Sequence, residues 1–144
     1  MLGSEIEGCG TNPVIISYRA GMAKLNSFND LLVWQKAIAL SAATYKLTSN
    51  YPKEEMFGLT TQTRRVVNSI SLNIAEGYGR NTTKNYVSFL YNALGSLNET
   101  DSAIVLAIAL DFIAVDDAKA VEELVKEESK MLNALIKSLE NKIK

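Results

Sequence analysis

Apolar positions recur at intervals of three and four residues in four runs between Leu31 and Ile143, and short polar or glycine-containing breaks separate the runs. That rhythm is the signature of amphipathic helices. The most informative run is Leu59 to Arg80, LTTQTRRVVNSISLNIAEGYGR. Leu59, Val66, Ile70 and Ile74, with Thr63 between, mark a core-facing stripe. Gln62, Arg65, Ser69, Asn73 and Glu76 follow the same rhythm one step round the helix. A polar stripe beside a core stripe needs hydrogen-bonding partners. Gly77 and Gly79 close the run and allow a tight reversal.

The first helix is expected to begin near Asp30, an N-cap residue before Leu31. Leu31, Trp34, Ile38 and Tyr45 form one apolar stripe on it, and Val33, Ala37, Leu40 and Leu47 another. Asn50-Tyr51-Pro52 ends it, because the residue before proline avoids helical geometry. A short turn through Lys53-Glu54-Glu55 and Gly58 leads into the second helix. Asn81-Thr82-Thr83 supplies caps for a third, which runs to about Leu110 with Tyr86, Leu90, Ala93, Leu97, Ile104 and Ile108 inward. Beside that face lie Ser88, Asn92, Gly95, Ser96, Glu99 and Ser102, where small residues allow another helix to approach closely. Asp116-Asp117 is expected to start the fourth helix, with its carboxylates at the positive end of the dipole. Val121, Val125, Leu132, Leu135, Leu139 and Ile143 give its stripe, interrupted by Glu128. Lys137, Lys142 and Lys144 sit near its end, where cations are favoured. Four such helices with short connections fold most simply as an all-α, up-down-up-down four-helix bundle over residues 28–144.

Residues 1–27 differ from the rest. Glycines and Pro13 interrupt any periodicity, and Val14-Ile15-Ile16 is the only apolar cluster. This stretch reads as a leader or poorly ordered N-terminal tail. A short arm clasping a neighbouring subunit is the sharper reading, and Met22 is a candidate natural start. Glu5 and Glu7 are wrong for a signal peptide, and no apolar run is long enough to span a membrane. The lone Cys9 cannot form an intrachain disulfide, which points to a reducing, cytoplasmic setting.

The chain has no histidine. The commonest general base and metal ligand is therefore missing, and the Glu-x-x-His motif of bundle metal sites is absent. No enzyme activity, catalytic residue, metal or cofactor is expected. Glu76, Glu99 and Asp101 read as hydrogen-bonding partners of Arg65, Gln62 and Asn73 rather than as a catalytic pair. The formal net charge is -1, so attraction to nucleic acid requires a local patch. Between Lys53 and Tyr91 there are five basic residues (Lys53, Arg64, Arg65, Arg80, Lys84) against three acids (Glu54, Glu55, Glu76). Arg64, Arg80 and Lys84 are the candidate phosphate contacts, and Tyr78 is placed to stack on a base.

Phe28-Asn29-Asp30-Leu31 with Val33-Trp34-Gln35-Lys36-Ala37, and Tyr51-Pro52-Lys53-Glu54-Glu55 with Phe57-Gly58-Leu59-Thr60, resemble two motifs of a known family. Gln62, Arg64-Arg65, Ser69-Ile70, Asn73-Ile74-Ala75-Glu76-Gly77 and Gly79-Arg80 resemble its most specific motif. Phe89-Leu90, Gly95-Ser96-Leu97 and Glu99 resemble a fourth. The chain thus resembles the 23S rRNA intervening-sequence proteins over about residues 28 to 113. The resemblance implies a left-handed four-helix bundle that assembles into a homopentameric ring, as in the related accessory protein of diversity-generating retroelements. That relative resembles a partner of nucleic acid and reverse transcriptase. RNA or DNA, and alternatively a polymerase or other protein docked without nucleic-acid contact, are the partners implied. Thr100-Asp101-Ser102 departs from the family, which usually has an apolar residue, glutamate and threonine there.

Gln62, Arg65, Asn73, Glu76 and Glu99 are expected to form a structural polar network. Arg65 is expected to be largely buried and paired with Glu99, Asp101 or a neighbouring subunit's equivalent. Its removal would then destabilise the bundle or dissolve the ring, whereas Arg64 would serve surface binding.

Overall fold

The computed structural model describes residues 27–143. The expectations for the leader up to residue 26 and for Lys144 lie outside the described residues. Four α-helices carry the described chain: α1 Leu32–Thr48, α2 Leu59–Tyr78, α3 Thr83–Ala109 and α4 Val115–Ile143. Short 3₁₀ turns precede α1 at Phe28–Asp30 and α2 at Lys53–Glu55. Each helix packs against the next, and α1 packs against α4, so the four surround one core. Leu40, Ile70, Ile74, Leu90, Leu97, Ile104 and Leu132 are its largest fully buried apolar side chains.

The helix ends follow from local chemistry, with one departure from expectation. Ser27, not Asp30, is the first cap: its hydroxyl accepts from the Asn29 amide, while Asp30 accepts from the Ser27 amide. Asp30 therefore lies inside the 3₁₀ turn, and Leu31, in extended conformation, separates that turn from α1. Thr82 caps α3 by accepting from the Asn85 amide at 3.1 Å. At the far end of α3, Asp111 adopts φ 61°. The Asp111 amide donates to the Ile108 carbonyl (3.0 Å) and the Phe112 amide to the Ala107 carbonyl (2.9 Å), the paired bonds of a Schellman ending. Aspartate tolerates this left-handed position better than most residues. Phe112 then packs against Tyr51 with ring centroids 5.8 Å apart. Asp117 accepts from the Ala114 amide at 2.9 Å and anchors the start of α4, which begins at Val115.

The buried faces match the periodicity with local shifts. On α1 the Val33, Ala37, Leu40 and Leu47 stripe is buried, whereas Leu31, Trp34 and Ile38 are half-buried and Tyr45 is exposed. On α4 the buried line is Ala118, Val121, Val125, Glu128, Leu132 and Ile136. Leu135 and Leu139 are half-buried and Ile143 is exposed, so the expected stripe slips by one position after Leu132. Glu128 does not interrupt the core; it lies within it, 0% exposed. The reversal after α2 does not use the left-handed backbone that glycine permits: Gly77 lies inside the helix and Gly79 has φ -80°. Gly77 is buried, and a Cβ there would sit 2.8 Å from Phe89 Cβ and 3.1 Å from the Tyr86 carbonyl. Here the backbones of α2 and α3 come close. Gly95, in the expected close-approach stripe, instead faces open space.

Candidate nucleic-acid interface and its polar neighbours

The α2–α3 turn brings Tyr78, Arg80 and Lys84 to one end of α2. Arg80 pairs with Glu76 one turn back at 2.6 Å, and its guanidinium lies 4.7 Å over the Phe89 ring. Both partners of that ion pair are largely exposed, so the pair orients Arg80 more than it stabilises the fold. Tyr78 is exposed and meets Tyr86 edge-on at 6.0 Å. Burial and the neighbouring Tyr78 push the Tyr86 hydroxyl up to about 12, so it stays protonated. Lys84 is exposed in the first turn of α3, a turn without an acidic residue. A cation there opposes the helix dipole, and local stability does not explain it.

Arg64 belongs to a different place. From Arg64 the helix runs on to Tyr78, about 21 Å at 1.5 Å per residue, before the turn that carries Arg80. Its Nε donates to Thr48 Oγ1 at 2.9 Å and its Nη2 to the Tyr45 carbonyl at 3.3 Å. The guanidinium lies 4.6 Å over the Tyr45 ring. Asn68 completes the cluster by donating to the Tyr45 hydroxyl at 2.7 Å. The four predicted contact residues therefore form two sites, not one patch.

The polar stripe is only partly the expected network. Asn73 Nδ2 donates to the Ser69 carbonyl at 2.8 Å, and Ser69 Oγ bonds Ser96 Oγ across to α3 at 2.6 Å. Arg65, however, is exposed and donates to Gln62 on its own helix. Glu99 is exposed as well, and the bond expected between the two does not form. The reason is the wheel position. Thr63, Val67, Ile70 and Ile74 define the buried line of α2, and at 3.6 residues per turn Arg65 falls almost opposite it. Arg64, one step nearer that line, is the half-buried arginine. On α3 the inward polar residue is Thr100 rather than Glu99, and it donates to the Ser96 carbonyl at 2.9 Å. That bond satisfies the hydroxyl within the core.

Two buried charges were not among the predicted site residues. Lys36 is buried, and its ammonium pairs with Glu127, whose side chain is about half exposed. Glu128 is fully buried and neither carboxylate oxygen has a hydrogen-bond partner among the described residues. Burial holds its carboxyl well above the usual range, and the nearby Lys36 opposes that shift only in part. The signal for Glu128 was its place in the apolar stripe of α4. Lys36 was legible only as a position three residues after Val33 and four before Leu40.

Among the described residues no helix is long and apolar enough to cross a membrane. No cluster of three or more potential metal ligands occurs among them.

No curated protein matches the chain. Among solved structures, it is similar to a protein of unknown function from the S23 ribosomal protein family of Bacteroides thetaiotaomicron VPI-5482. The TM-score is 0.66 and the identity 25%, over 73% of this chain and 98% of that one. The model of the 23S rRNA-intervening sequence proteins matches residues 29–134. With its four helices, its glycine-closed α2–α3 turn and this match over most of its length, the chain belongs to the 23S rRNA-intervening sequence protein family.

Proposed function

We propose that the chain is a non-enzymatic protein that associates with RNA or DNA as a homo-oligomer. In this reading the bundle is left-handed and up-down-up-down, and it assembles into a pentameric ring in a cytoplasmic setting. The carrying observation is the α2–α3 turn, where Arg80, Lys84 and Tyr78 are exposed together. The bond from Tyr91 on α3 to Glu140 on α4, at 3.0 Å, supports antiparallel neighbours. In an up-down-up-down bundle Lys137 and Lys142 of the last turns of α4 share the end that carries Arg80 and Lys84. Four basic residues then share one end of a chain of formal net charge -1, with Glu76 and Glu140 as the acids beside them. The outward polar face of α3, with Asn92, Gly95 and Glu99, supports contact with a second copy. Ring assembly would repeat a weak patch and multiply its phosphate contacts. The family's name, which refers to ribosomal RNA, and a sequence without histidine support the same reading.

The test is retardation of a 23S rRNA fragment across a salt series. Wild-type protein should bind, and the Arg80→Glu/Lys84→Glu double variant should bind more weakly. The slope of log affinity against log salt should fall by about 0.7–0.9 for each phosphate that the variant no longer neutralises. Absence of binding at low salt to RNA and DNA alike would overturn the proposal.

One observation favours the alternative, a module that docks a polymerase or other protein. Phe57, in the loop before α2, is 97% exposed, with Met56 beside it also exposed. An unpartnered aromatic of this kind is the usual anchor of a protein interface. Co-purification of a protein without nucleic acid, abolished by Phe57→Ser, would favour that reading.

A further inference from the structure

The outer face between α1 and α2 carries an open groove of about 480 Å³, lined by Tyr45, Thr61, Arg64, Arg65, Asn68 and Leu72. Two arginines line it and no acidic residue does; Arg65 donates to Gln62 at the rim, a neutral partner that leaves its charge uncompensated. An uncompensated pair of cations attracts an anion, and the planar fork of arginine suits phosphate. Arg64 is held in place by Thr48 Oγ1, the Tyr45 carbonyl and the Tyr45 ring. Those two hydrogen bonds use two of the five N–H donors of a guanidinium and leave others for a ligand. A donor fixed before binding loses little entropy on binding.

The remaining lining narrows the ligand class. Leu72 is 66% exposed in the middle of a helix and Tyr45 is also exposed. Together they give the groove an apolar wall. Asn68 spends one donor on the Tyr45 hydroxyl, which leaves its amide oxygen as an acceptor in an otherwise cationic groove. A carboxylate or phosphate alone would use neither the apolar wall nor the acceptor. A ligand that joins a phosphate to a flat heteroaromatic ring with its own donors would use all three.

We infer that this groove binds one nucleotide unit of a single strand, with the phosphate at Arg64 and Arg65 and the base between Asn68 and the Tyr45–Leu72 wall. The inference rests on the nucleic-acid reading but places a second contact, specific for unpaired nucleotides, along the outer face of α2, away from the turn that carries Arg80 and Lys84. The base of a duplex is stacked inside the helix and cannot reach such a wall, whereas single strands are read by stacking on side chains.

The experiment compares fluorescence anisotropy of labelled rU12 and of a 12-base-pair RNA duplex, with uridine monophosphate as competitor. The variants are Arg65→Glu and Leu72→Ser, both at exposed positions, and Arg80→Glu/Lys84→Glu as reference. Thermal melts verify that the variants fold. Leu72→Ser should weaken rU12 about tenfold, as loss of the apolar area that a base would bury on a leucine side chain does, and leave the duplex nearly unchanged. Arg65→Glu should weaken rU12 at least as much, and the reference variant should weaken both probes. Competition by the mononucleotide would show that the groove takes the unit itself; competition only by the strand would show that it needs adjoining phosphates, and either supports the site. If wild-type protein binds rU12 and both groove variants bind it equally well, the groove is not the site and the broader reading survives. If wild-type protein binds neither these probes nor the 23S rRNA fragment at low salt, both fall.

Discussion

Replacing Glu128 by methionine should stabilise the protein. The carboxyl is fully buried and both its oxygens lack hydrogen-bond partners among the described residues. Burying a polar group in that state costs about 1–3 kcal/mol. Methionine has a similar length, no group to desolvate and the flexibility to fill the site. The expected gain is therefore about 1–3 kcal/mol, or about 3–5 °C of Tm per kcal/mol for a domain of this size. The wild-type effect should also depend on pH. The folded carboxyl titrates above its unfolded value because of burial. Below the ordinary carboxylate range both states are protonated, and only the cost of burying the neutral carboxyl remains. As pH rises, the unfolded chain releases the proton first, so folding stability falls until the folded group also ionises, and then levels off. Lys36 is the cation that acts on Glu128, and its ammonium is shared with Glu127, its ion-pair partner. Lys36 limits the rise but does not reverse it. Urea unfolding of wild type, Glu128→Met and Glu128→Gln at pH 5 and pH 8 measures both effects. Both variants should lose the part of the pH slope that wild type owes to this group, and the methionine variant should be the most stable at pH 8. If Glu128→Met were less stable than wild type at both pH values, the carboxylate would be a paired structural charge, as in a buried ion pair broken from one side. The reasoning would then be refuted.

Two further pairs of variants test the packing. Gly77→Ala places a methyl against Phe89 and Tyr86 and should cost about 1–3 kcal/mol by overpacking. Gly95→Ala meets nothing in the chain and should gain about 0.5–1 kcal/mol from helix propensity; thermal melts compare the two, and equal shifts would refute the close approach at Gly77. Arg64→Ala removes two hydrogen bonds and a cation–π contact and should cost about 1–2 kcal/mol. Arg65→Ala should change the unfolding free energy of the single bundle by about 0.5 kcal/mol or less. The opposite order in urea titrations would restore the burial expected for Arg65.

Much of the architecture was legible in the chain itself. Hydrophobic spacing placed all four helices, and proline and glycine placed the breaks at Pro52 and after Gly77. These are local matters: the period of the backbone, the helical geometry that proline denies the residue before it and the poor helix propensity of glycine. The presence of Glu128 in the stripe of α4 was visible too, but not its meaning. A charge within an apolar run is read as an interruption until the neighbouring helices are seen to enclose it.

The two adjacent arginines show where one dimension runs out. Successive residues on a helix differ by about 100°, so the pattern locates a face only to within about a residue. Whether Arg64 or Arg65 turns inward depends on how α2 is rotated against α1, where Thr48 and the Tyr45 carbonyl stand ready to accept from Arg64. Gly77 was read as part of a reversal and Gly95 as a point of close approach, yet Phe89 and Tyr86 crowd the first and open space faces the second. Residue order alone settles which segments are helical, where they stop and which side chains are available for burial. The packing of the four helices settles which polar groups are enclosed, which arginine is anchored, and that Tyr45, Asn68 and Leu72 share a groove with two guanidinium groups. Those outcomes depend on the rotation and closeness of whole helices, which no local rule along the chain specifies.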